Sequence, residues 1–173
     1  RTYTRNVQWY SEATSVFLST ILGLDLTKLT ASGLGLKGTL DGDLNSDYSF
    51  AVYYFSETAF RFVLPHSASL QLQALINEQQ LRFDIDYVLR SDLATLALCG
   101  ANAFDTLISA FKLTPGLRLS NPQLCYGAQS GEVFITAIDN QATQQFQLVA
   151  RQAELDKWQT HLQQLGFDLA LAN

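Results

Sequence analysis

Methionine is absent from this 173-residue sequence, and the residues that most often carry chemistry are scarce: two Cys, two His and four Lys. Each shortage closes a route. Without an initiator Met, the chain reads as a processed protein or an excised segment, in which an upstream signal peptide or anchor would be invisible. Cys99 and Cys125 stand 26 positions apart with no Cys-x-x-Cys and no nearby His, which excludes the usual zinc and thiol-redox spacings. Charged residues make up only 16% of the chain, with a net charge of −5 and pI near 4.8. An average domain carries about 25%. No Lys/Arg stripe exists to track a phosphate backbone, so nucleic acid is not an expected partner. No apolar run approaches the roughly 18–20 residues of a membrane span, Val16–Leu26 being the nearest, so the segment is not expected to be membrane-spanning.

What is present is apolar bulk and amide. Hydrophobic residues account for 47%, enough for a core without metal or disulfide at this length. Fifteen Gln stand where charge usually would. With no low-complexity linker and no detectable internal repeat, residues 1–173 read as one α+β domain, an antiparallel sheet packed by three or four helices.

Periodicity supplies the elements. Tyr10, Ala13, Phe17 and Ile21 share a helical face, and Asn6 before them and Gly23 after them bound a helix over 7–22. A meander over 33–64 follows, with Leu34, Leu36 and Leu40 alternating in its first strand. A short helix over 70–77 leads to "LRFDIDY", strictly alternating and read as a strand over 81–87. From Ser91 a long helix carries Leu93, Leu96, Ala97, Phe104, Leu107, Ile108 and Phe111, with Gly100 and Asn102 able to divide it. Strands over 123–126, 132–138 and 145–150 come next, "YGAQSG" being read mainly as a turn. A helix from Ala153 to Leu165 stops at Gly166, and "FDLALA" adds a last strand.

The stretch "YSFAVYYFSETAFRF" holds seven of the twenty aromatic residues. Register decides what they do. An odd loop at Ser56-Glu57-Thr58 gathers Tyr48, Phe50, Val52 and Tyr54 with Phe60, Phe62 and Leu64 on a core face. Tyr53, Phe55 and Arg61 then lie on the reverse face, and they are the candidate binding residues. Aromatic side chains beside a guanidinium on an open face would anchor a protein partner or a small apolar ligand.

Other constellations carry less. Asp41, Asp43, Asn45 and Asp47 alternate as calcium-loop ligands do, but Ser46 and Val52 occupy the positions that need Gly and Glu. An acidic turn explains the same residues. Asp84 and Asp86 share one strand face as a carboxylate pair would, and as a solvated face also would. His66 and His161 have no nucleophile or acid at a telling spacing. There is no nucleophile elbow, and "GLGLKG" lies within a strand rather than between strand and helix. No cofactor and no enzymatic activity are expected on these grounds. Cys99 and Cys125 stand either as a disulfide joining a helix to a strand, stabilising by about 3 kcal/mol, or as two buried thiols. The first would place the protein outside the cytoplasm.

The order helix, meander, helix, strands, helix over 7–165, the acidity and the closing "ELDKWQTHLQQLG" resemble the type III secretion effector chaperones. That resemblance implies a small acidic homodimer wrapping an unfolded effector segment. Three functional expectations follow: a non-enzymatic binding or assembly module presenting the Tyr53 face, an extracytoplasmic sensor or carrier enclosing a small hydrophobic ligand, and a chaperone-like effector binder.

Overall fold

A computed structural model describes residues 4–9, 13–40, 48–79, 82–83, 85–99, 103–113, 124–137 and 146–171. The chain divides into two compact units, Thr2–Ser91 and Asp92–Asn173. The N-terminal unit contains β1 (Thr4–Trp9), α1 (Ala13–Thr20), a 3-10 turn (Leu26–Lys28), β2 (Leu34–Leu40), β3 (Tyr48–Ser56), β4 (Ala59–Pro65), α2 (His66–Gln79) and β5 (Tyr87–Leu89). The C-terminal unit contains β6 (Leu93–Cys99), α3 (Ala103–Phe111), β7 (Leu124–Ser130), β8 (Val133–Ala137), β9 (Phe146–Arg151), α4 (Gln152–Gln164) and β10 (Asp168–Leu171). Both are α+β, and no helix among the described residues is long and apolar enough to cross a membrane.

The two units repeat one topology, βαβββαβ. Within the first the strands run in the order β2-β3-β4-β1-β5, and within the second β7-β8-β9-β6-β10. Strand for strand the orders are the same, and the neighbours given a register are antiparallel in both. Register matches as well. Phe62 lies four residues before α2 and faces Val52 and Val7 in the ladder, with Leu36 beyond Val52. Leu148 lies four residues before α4 and faces Ile135 and Leu96, with Ala128 beyond Ile135. Every member of both rows is apolar while none need be identical. That is why the repeat is visible in pairing and invisible in the sequence.

Each unit packs its helices through stripes at helical spacing. Ala68, Leu72 and Ile76 on α2 are fully buried, and α2 lies against β4 and β1. In the C-terminal unit Ala103, Leu107 and Phe111 on α3, with Leu155 and Leu162 on α4, join Leu96, Leu98, Ile135, Phe146 and Leu148 in one core. Trp158 closes that core at its edge, its ring 4.2 Å from that of Phe111. α4 ends as the sequence indicates: Gly166 adopts φ 91°, and the Phe167 N–H donates back to the Leu162 carbonyl at 3.2 Å. This is the left-handed glycine termination that releases the chain into β10.

Several sequence expectations are corrected. The helix over 7–22 is two elements, since Thr4–Trp9 form β1 and only Ala13–Thr20 are helical. The helix from Ser91 is likewise two elements: Ser91 and Asp92 form a turn, Leu93–Cys99 form β6, and α3 begins at Ala103. Leu and Ala favour helices intrinsically, and pairing on both sides overrides that preference here. The strand over 81–87 is not a ladder; β5 starts at Tyr87. Its alternation reported burial alone, with Phe83 and Ile85 buried and Arg82 and Asp86 exposed. The Phe83 ring packs edge-on to that of Phe17 at 5.9 Å. "YGAQSG" falls mostly inside β7, with the turn at Gly131 and Glu132. The short helix over 70–77 is the longer α2, which starts directly after Pro65.

Candidate functional site

The aromatic hairpin folds in the expected register by a different device. Val52 faces Phe62 and Tyr54 faces Phe60, but Ser56 faces Ala59 across a tight Glu57-Thr58 turn. The odd residue is taken up by a bulge between Tyr54 and Ser56, which leaves Phe55 unpaired. The core face forms as read from the sequence: Phe50 stacks on Phe62 at 5.1 Å, and Tyr54 meets Phe60 edge-on at 5.6 Å. Gly38 makes room for this, because a Cβ on it would lie 2.5 Å from the Phe50 ring.

The reverse face is where the candidate residues lie, and it is not open. Tyr53 is 2% exposed and Arg61 is 9% exposed. Tyr53 and Arg61 face one another in the ladder, continuing to Gly35 on one side and Gln8 on the other. The bulge residue Phe55 sits over the guanidinium, with Arg61 Cζ 5.4 Å from the ring centroid. Such a stack contributes roughly 0.5–2 kcal/mol as the cation is desolvated. Tyr53, Phe55 and Arg61 are thus brought together as expected, but within the fold rather than on an exposed surface. β4 explains the difference. It is the middle strand of the five in its unit and is buried on both faces from Phe60 to Leu64, so the alternation of the sequence does not separate inside from outside there.

The equivalent row of the C-terminal unit is Gly127, Thr136, Gln147 and Ala97. Both rows hold a buried glycine at the β2 or β7 position. The guanidinium at Arg61 becomes an amide at Gln147, and the phenol at Tyr53 becomes the buried hydroxyl of Thr136. Thr95, on the same face of β6, is also buried. Sequence reasoning missed Thr95, Thr136 and Gln147 as members of one face. Reading 91–111 as a helix removed β6 from the sheet and with it the row.

The remaining candidates are dispersed. Asp41, Asp43, Asn45 and Asp47 lie outside the described residues, as does Asp84. Asp86 is exposed between α2 and β5. His66 opens α2, and His161 is exposed on α4 with its ring 5.6 Å from that of Trp158. Among the described residues no group of three or more His, Cys, Asp or Glu is placed to hold a metal ion. Cys99 and Cys125 form no disulfide. The expected helix-to-strand link fails because both are in strands, β6 and β7, with β9 and β8 between them. Three strand spacings amount to about 14 Å, twice the Cα separation a disulfide spans. With it goes the observation that favoured an exported protein.

Asp25 has its acidity set by its own turn. It caps the 3-10 turn, accepting from the Thr27 hydroxyl at 2.5 Å and from the Thr27 N–H at 3.2 Å. Those bonds hold its carboxyl below the ordinary 3.8, the hydroxyl bond contributing most.

No protein-family model matches the chain. Among solved structures it is similar to the glycine cleavage system aminomethyltransferase T from Bartonella henselae, with a TM-score of 0.67 and 17% identity. The match covers 89% of this chain and 42% of that one, so the chain spans less than half the length of the aminomethyltransferase. At this identity the likeness shows the fold. It conflicts with the expectation of a non-enzymatic binding or assembly module, which is corrected here: the protein that shares this fold is an aminomethyltransferase. The burial of Tyr53 and Arg61 removes the open face on which that expectation rested.

Proposed function

We propose that this chain forms part of a group-transfer enzyme of the aminomethyltransferase kind. One observation carries the reading: the backbone likeness to aminomethyltransferase T extends over 89% of the chain, more than either βαβββαβ unit holds. Tyr53 and Arg61 are enclosed by the fold, so the reading rests on the backbone likeness and not on them. The test is glycine cleavage reconstituted with its own aminomethyltransferase left out. Adding the purified protein should raise glycine turnover above the omission control, and turnover no higher than in that control overturns the reading.

A further inference from the structure

We draw no further inference here: the strongest candidate, the buried Thr95 hydroxyl on the second face of the C-terminal sheet, has no hydrogen-bond partner among the described residues, but nothing in the structure shows a cavity beside it or what covers that face.

Discussion

The N-terminal and C-terminal units solve one folding problem twice with different side chains. At the position where β2 meets β3, the first places Gly38 opposite Phe50. At the equivalent position where β7 meets β8, the second places Ser130 opposite Val133. A missing side chain on one strand admits a ring on the next, and a small polar residue on one admits a smaller apolar residue on the other. Volume is conserved across the pair rather than at either residue, as close packing requires. Ser130 then uses its hydroxyl, which donates to the Phe111 carbonyl at 3.1 Å and ties β7 to the end of α3. The second face differs more sharply. Arg61 places a charge on one sheet where Gln147 places an amide on the other.

The comparison can be broken most forcefully at its apolar centre. Phe62 and Leu148 occupy equivalent, fully buried positions, and alanine at either should lower stability by about 3–5 kcal/mol. Each unit carries one tryptophan, Trp9 in β1 and Trp158 in α4, so denaturant unfolding followed by fluorescence in single-Trp variants reads both. A loss below ~1 kcal/mol at one position only would show that equal register does not mean equal packing.

Next in size is the exchange of small residues. Gly38→Ser forces the Phe50 ring aside and should cost roughly 1–3 kcal/mol by overpacking, partly recovered when Phe50 is also changed to Val. The reciprocal Ser130→Gly removes one hydrogen bond and should cost about 1 kcal/mol. Equal losses from the two changes, or no recovery in the Gly38→Ser/Phe50→Val pair, would sink the volume-exchange account.

Arg61→Met should cost about 2 kcal/mol through the lost stack on Phe55, with Gln147→Met at the equivalent site close to neutral by thermal melt. Under the proposed function both proteins, assayed well below their melting temperatures, should keep transfer activity, because Arg61 lies within the fold. Activity lost in Arg61→Met alone would overturn the purely structural role.

The smallest effect is acid dependence confined to the N-terminal unit. Because the folded Asp25 carboxyl titrates below 3.8, its contribution is fully present above that value and disappears as pH falls through the depressed folded one. Melts between about pH 2 and 5 should therefore show a shallow acid-side loss that Asp25→Asn removes. An unchanged acid profile in Asp25→Asn would assign the loss to other carboxylates.

Much of this architecture is legible in the residues. The meander, the faces of the hairpin, α4 with its Gly166 end, β9 and β10 all follow from alternation, helical spacing and turn residues. The two large misreadings are one error made twice. β1 with α1 read as one helix, and β6 with α3 as one that Gly100 and Asn102 could divide but helical on both sides. They are the same pair of elements in the two repeats, and in each the strand is the one that inserts beside the central strand. Its partners lie far along the chain: Val7 pairs with Phe62, and Leu96 with Leu148. Local preference cannot report a ladder whose other half is some fifty residues away.

The candidate site was legible in membership and illegible in environment. Strand parity placed Tyr53, Phe55 and Arg61 on one face, and the bulge at Phe55 preserved that grouping. Whether the face meets water depends on what packs over it in the assembled structure, and there Tyr53 and Arg61 are buried. By itself, then, the sequence determined which residues share a face and where helices stop, because these depend on spacing within a few residues. Only the tertiary structure decided that β1 and β6 are strands, that both faces of the central strands are buried and that one topology occurs twice. Those outcomes are set by pairing between distant segments, where the free energy of burial outweighs what any short stretch prefers by itself.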